Sequence, residues 1–238
     1  MRPADHVVLL LADCAVELIP REIWRHPAVV NYCRKRGKTP GKTLLDSSYH
    51  HAAMRGLRDA ERRGRPDILH FTILEVLGSP LNKSDKLRTY IHSQAGNLVE
   101  VNPSVRLPRN YDRFKSLIEQ LLAEKEIRTE SGEVLLRVED GDLRSWRERW
   151  GLRSVVLLSE TGEPLNRLGG IRELLEGGRP VCYVIGCFPH GDFSGEVKAI
   201  ADMEVRISDY RLDAWVAASR LLCMLESVLL PGPGGSAG

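Results

Sequence analysis

No stretch of the 238 residues stays apolar for anything near ~18 consecutive positions, which excludes a membrane-spanning helix. There is no C-x-x-C pair, and the cysteines are five scattered residues, Cys14, Cys33, Cys182, Cys187 and Cys223. An odd, dispersed set argues against a disulfide framework and a zinc ribbon, and for a reducing compartment. A large excess of one charge is also missing. The formal net charge is +2, so any nucleic-acid footprint must come from local clustering of cations. The beginning of the chain has neither a basic leader nor a small-residue cleavage site. Its apolar run Val7–Ala12 soon meets Asp13 and Glu17, and reads as a strand rather than a secretory signal. Internal repeats are absent. The expectation is a cytoplasmic globular protein with no membrane segment.

What is present suits one large domain over residues 1–230: hydrophobic content is 42% and charged content 28%, and the length can bury a core without disulfide or metal support. Short branched apolar runs at Val7–Ala12, Ile68–Leu77, Val155–Leu158 and Val181–Ile185 read as strands covered on both faces. Between them, Tyr49–Arg63 and Tyr111–Glu124 carry apolar residues at helical spacing, and Ser208 or Asp209 is placed to cap a last helix bearing Leu212, Trp215, Val216, Leu222 and Leu225. Alternating strands and helices predict an α/β fold with a mostly parallel sheet. Arg88–Val101 reads as a polar hairpin turning at Ala95-Gly96-Asn97. Leu143–Arg153, with Trp146 and Trp150 four apart, reads as a short basic amphipathic helix, and the Pro/Gly/Ser tail 231–238 as disordered.

Several segments invite a chemical reading. Gly37–Thr43 resembles a phosphate-binding loop, but three residues instead of four separate Gly37 from Gly41 and no strong strand precedes it. A basic surface loop is the better reading. His50 and His51 are adjacent and point about 100° apart on a helix, so they do not share one metal ion; no metal site is expected. The run Val181–Ile185 passes directly into Gly186-Cys-Phe-Pro-His-Gly191. Ligands of open α/β sheets sit beyond the carboxyl ends of strands, and glycines let backbone amides approach them. Val205–Leu212 is a second strand end running toward a helix, although a plain helix cap explains it equally well. In Asn102–Lys115 the cations Arg106, Arg109, Arg113 and Lys115 face a single acid, Asp112. Guanidinium groups beside Tyr111 suit phosphates and unstacked bases; the bland alternative is a solvated charged face. Arg65-Pro66-Asp67 places a carboxylate where it can orient a guanidinium.

Together His70–Lys83, Tyr90–Gln94, Glu100–Arg109 and Gly186–Gly191 resemble the ribosome-biogenesis pseudouridine N1-methyltransferases of the SPOUT class, and the compact length resembles archaeal members. The similarity runs from about Val7 to Leu229. It implies a C-terminal trefoil knot within about 150–230, a family-specific insertion, a homodimer, and S-adenosylmethionine as cofactor. Carried over by motif, Gly186, Gly191 and the backbone of Ile207, Ser208, Asp209, Tyr210, Arg211 and Leu212 contact that cofactor, with Thr161 as the contact from the loop after Val155–Leu158. Arg65, Arg106, Arg109 and Arg113 match the RNA-contacting arginines, and Asp67 the residue that steadies Arg65. Where the family often has Ala-Phe-Ala-His, this chain has Cys-Phe-Pro-His, and Pro189 removes one amide donor.

The implied reaction is methyl transfer to ring nitrogen 1 of a pseudouridine in a hairpin loop of small-subunit rRNA, with ribosomal assembly proteins as further partners. No general base is assigned. A non-catalytic rRNA-binding assembly factor that retains a cofactor pocket fits the same arginines, and a third possibility is a methyltransferase acting on uridine or protein. Intact glycine loops favour the enzyme.

Overall fold

A computed structural model describes residues 7–168, 170–175 and 180–231. The strands are β1 (Val7–Cys14), β2 (Leu87–Ser93), β3 (Leu98–Val101), β4 (Glu126–Arg128), β5 (Val134–Glu139), β6 (Ser154–Pro164), β7 (Val181–Gly186) and β8 (Met203–Arg206). Among the described residues they form one eight-stranded sheet in the order β4-β5-β3-β2-β1-β7-β6-β8. The run from β2 to β8 is parallel, and β3, β5 and β4 extend it as an antiparallel wing.

The helices are α1 (Pro27–Arg36), α2 (Ser47–Met54), α3 (Pro66–Gly78), α4 (Pro80–Lys83), α5 (Tyr111–Glu124), α6 (Leu143–Trp150), α7 (Gly170–Leu175), α8 (Gly195–Ile200) and α9 (Ala214–Leu229). β1 explains the layering. All eight of its residues are buried, and its period-2 alternation sends Val7, Leu9 and Leu11 into one core and Val8, Leu10 and Ala12 into the other. The first core is closed by α3, α5 and α9 through residues such as Ile73, Phe114 and Leu221. The second is closed by α6 and α8 through Leu143, Trp146, Val197 and Ile200. A third, smaller core holds α1 and α2 together around Val29, Cys33, Leu45 and Met54.

The mostly parallel α/β sheet, the hairpin, α5 and α6 agree with the sequence reading. Three elements differ. Ile68–Leu77 is not a strand: it lies inside α3, whose Pro66 occupies the first helical turn, where proline fits. Ile68, Leu69, His70, Thr72, Ile73 and Val76 are all buried, so the helix has too little exposed face to interrupt its apolar run. The helix expected over Tyr49–Arg63 ends at Met54; Asp59 takes a left-handed φ of 54° and a 3-10 turn follows at Ala60–Arg62. The last helix begins at Ala214 behind Asp213 instead of at Ser208 or Asp209, because the Ser208 hydroxyl accepts the amide of Tyr210 in a local turn at 3.0 Å.

Gly37 closes α1 with φ 62° and leads into a 3-10 turn at Pro40–Lys42, so the 37–43 segment is a loop after a helix and has no strand behind it. His50 is buried and His51 exposed. No cluster of metal-ligating side chains occurs among the described residues, and none of their helices is long and apolar enough to cross a membrane. All five cysteines are free thiols. The expected disordered tail lies, beyond Pro231, outside the described residues.

Candidate active site

Because β6, β7 and β8 run parallel, their carboxyl ends deliver three loops to one edge of the sheet, the edge where open α/β sheets bind ligands. The loops enclose a cleft of about 400 Å³, inside the roughly 300–1,000 Å³ range of small-molecule pockets. The first loop is a bulge. Leu158 and Glu163 both stand opposite Val205 in the β6–β8 register, so the residues between them leave the ladder and Ser159, Glu160 and Thr161 line the cleft. Gly162 permits this: a Cβ there would lie 2.6 Å from the Val205 nitrogen, closer than a side-chain carbon is tolerated.

The second loop follows β7. A Cβ on Gly186 would sit 2.6 Å from Phe188 and 3.2 Å from Phe193. Those two rings meet edge to face at 5.3 Å, so the loop folds back over the glycine. Gly191 has φ 88°, a region that favours glycine. Ser194 ends the loop and starts α8, its hydroxyl accepting the amide of Val197 at 3.3 Å. The third loop, between β8 and α9, contributes Ile207, Ser208, Tyr210, Arg211 and Leu212 to the cleft. Asp209 does not line it; its carboxylate pairs with Arg206 at 3.0 Å. Tyr210 is 82% exposed, so its ring stands at the mouth and not in a core.

Of the four arginines matched to RNA contacts, Arg65 alone reaches this cleft. It stands just before α3, and its guanidinium donates to both oxygens of Asp67, at 2.8 and 2.7 Å. This bidentate bond, opposed by partial burial, holds the guanidinium pKa above its ordinary value. Arg106, Arg109 and Arg113 lie exposed along the approach to α5 and its first turn, outside the cleft. The approach is pinned to α3 by the His70 ring, whose Nε2 lies 2.8 Å from the carbonyl oxygen of Pro108, and the Asn110 side chain caps α5 by accepting the Arg113 amide at 3.1 Å. One helix, α3, thus carries Arg65 at its start and anchors the other arginines from its side.

Lys115 departs from the sequence reading. It is buried, with its ammonium 2.8 Å from the Asp46 carboxylate and over the rings of Tyr49 and Tyr111 at 4.7 and 4.5 Å. It is a structural cation and not part of the exposed row. Asp112 in turn pairs with Arg36 and Lys115. Sequence reasoning also missed Ser159, Glu160, Phe188 and Trp215 on the cleft wall; Gly162 behind a polar triplet was the only local sign of the bulge.

The family model described as EMG1/NEP1 methyltransferase matches residues 9–226. This chain belongs to that methyltransferase family. It is 41% identical over 226 residues to the ribosomal RNA small subunit methyltransferase Nep1 of Staphylothermus marinus, covering 95% of this chain and 97% of the relative. Against the Nep1 of Pyrococcus furiosus the identity is 43% over 220 residues, with 92% and 95% covered. Among solved structures, Nep1 of Archaeoglobus fulgidus bound to S-adenosylhomocysteine superposes with a TM-score of 0.84 at 39% identity, covering 94% of this chain and 98% of that one. The similarity therefore spans all three loops of the cleft and the arginine segment.

Proposed function

We propose that this family member uses S-adenosylmethionine to methylate ring nitrogen 1 of a pseudouridine in a hairpin loop of small-subunit rRNA. The observation that carries the reading is the position of Arg65: a guanidinium fixed by Asp67 forms part of the wall of a glycine-rich cleft, and α3 joins it to the exposed Arg106, Arg109 and Arg113. The naming of the relatives as small-subunit rRNA methyltransferases and the S-adenosylhomocysteine on the Archaeoglobus protein support the same assignment.

The residues present fit such a cofactor. The cleft is large enough, Gly186 leaves no room for a Cβ beside the Phe188 and Phe193 rings, and Gly191 takes a φ of 88° that favours glycine. In this reading Gly186, Gly191 and the 207–212 backbone hold the cofactor, with Thr161 contacting it from the bulge. S-adenosylmethionine supplies a methyl group already activated on a sulfonium. The protein's task is then chiefly alignment of acceptor with donor. Arg106, Arg109 and Arg113 hold the RNA by its phosphates, and Arg65 orients the extruded nucleotide at the cleft. Pseudouridine is joined to ribose through carbon, so its nitrogen 1 carries only a hydrogen; in uridine that nitrogen is bonded to the ribose. The hydrogen leaves as a proton as the methyl group passes from the sulfonium to nitrogen 1 and S-adenosylhomocysteine is released. A loop nucleotide leaves its stack at lower cost than a paired one. We further propose a homodimer, a knotted C-terminal chain and a cytoplasmic location; the placement of β6 between β7 and β8 is in keeping with the knot.

Incubation with labelled S-adenosylmethionine and matched hairpins carrying uridine or pseudouridine tests the reading. Label is expected only on the pseudouridine hairpin. Transfer to the uridine hairpin alone would sink the proposed substrate, and tight hairpin binding without transfer would make the protein a non-catalytic assembly factor.

A further inference from the structure

The loop 186–194 is held from behind by two charged residues that do not line the cleft, Asp13 and Arg62. Asp13 is near the end of β1, buried, with φ 50°, a left-handed conformation that aspartate tolerates better than most side chains but that still calls for compensation. One oxygen of its carboxylate accepts the Ser194 amide at 2.6 Å and lies 3.8 Å from the Arg62 guanidinium. The other is 3.5 Å from the ring of His92, whose far nitrogen is 3.7 Å from Glu196. Asp13 thus ties down the residue that both ends the loop and caps α8.

Arg62 completes the clamp at the loop's middle. Its guanidinium lies 4.9 Å from the centre of the Phe188 ring, a cation–π distance. Gly191 lies against the same side chain: a Cβ there would make ordinary van der Waals contact, 3.4 Å from its Cδ. Arg62 is itself fixed: its carbonyl accepts the Gln94 side chain at 2.7 Å, and the Gln94 amide donates to Cys14 at 3.0 Å. Phe188 and Gly191 line the cleft in front of it.

We propose that Asp13 and Arg62 are positioning residues for the cofactor loop, Asp13 setting its carboxyl root and Arg62 the placement of Phe188 and Gly191. A purely structural pair would, when altered, lower stability and leave the folded protein's cofactor affinity alone. A positioning pair changes that affinity in protein that remains folded. The inference rests on the S-adenosylmethionine reading, so the test begins with binding itself.

Calorimetric titration of S-adenosylhomocysteine into the unaltered protein, Arg62→Met, Arg62→Lys and Asp13→Asn, each at a temperature where thermal melts show it folded, distinguishes the two roles. Arg62→Met and Asp13→Asn are expected to weaken binding about tenfold, and Arg62→Lys, which keeps the cation, to recover most of the loss. In turnover, KM for S-adenosylmethionine rises while kcat at saturation stays near that of the unaltered protein. The double variant loses less than the product of the single losses, since both act on one loop. Unchanged affinity in folded Arg62→Met and Asp13→Asn, or a fall in kcat with KM unmoved, overturns the proposal. Absence of binding by the unaltered protein overturns the cofactor reading instead.

Discussion

A charge taken out of water needs a counter-ion and hydrogen bonds, and removing one partner strands the other. At the residue scale, Lys115 and Asp46 are such a pair. Burial pushes the Lys115 ammonium pKa down, but the hydrogen bond and charge of Asp46 outweigh it and leave the value above the ordinary one. A raised value means the pair's stabilisation is complete below the unfolded pKa of roughly 10.4 and is lost as pH rises through the folded one. Lys115→Met should therefore cost about 3–5 kcal/mol in chemical denaturation at neutral pH, and a loss under ~1 kcal/mol would mean that Asp46 finds water or another donor. Asp13 has the opposite sign. Burial raises its carboxyl pKa, yet the His92 ring and the Ser194 amide and hydroxyl together bring it below the usual value. Its contribution is then present above the unfolded pKa of about 3.9 and disappears as pH falls through the folded value. The melting temperature of Asp13→Asn should fall less between about pH 5 and pH 3 than that of the unaltered protein; parallel curves would show that Asp13 carries no acid-labile stability.

At the element scale the critical contact is β6 against β8, where Gly162 meets the Val205 backbone. Gly162→Ala forces one strand to move and should cost about 1–3 kcal/mol, with a weakened affinity for S-adenosylhomocysteine because the 159–161 bulge moves with it. Unfolding midpoints and calorimetry read the two effects, and an Ala variant unchanged in both would show that the strands yield freely. The bulge itself was not legible in the sequence, since it arises from two strands meeting across the sheet. Elements with a clean local period were legible: the hairpin β2–β3, α5, and the apolar strands β1 and β7. α3 was misread because a helix buried on most sides has no polar stripe to reveal its period. The start of α9 was misread because Ser-Asp before an apolar run looks the same whether it caps a helix or turns a loop. At the site, strand ends alone marked Gly186–Gly191 and Val205–Leu212 as candidate loops, and it was the family resemblance that named the cofactor and its contacts. The burial of Lys115 could not be found in either way, because its partner Asp46 is 69 positions away.

For the whole molecule, a net charge of +2 does not by itself attract RNA, so the distribution of pairing must do so. Asp112 lies in the arginine segment but is committed to Arg36 and Lys115, and Arg88, Arg137 and Arg147 are matched with acids elsewhere on the surface. Arg106, Arg109 and Arg113 have no ion-pair partner among the described residues and remain available to phosphates. Their contribution should appear as counterion release: each phosphate neutralised adds about 0.7 to the slope of log affinity against log salt for single-stranded RNA. Arg109→Ala is accordingly expected to weaken hairpin binding and reduce that slope by about 0.7, while affinity for S-adenosylhomocysteine stays unchanged, because Arg109 lies outside the cleft. An equal loss at every salt concentration would mean that Arg109 meets a base and not a phosphate. A loss of cofactor affinity would place it at the wrong site altogether, and α3 would then have to transmit more than position between the arginine row and the glycine loops.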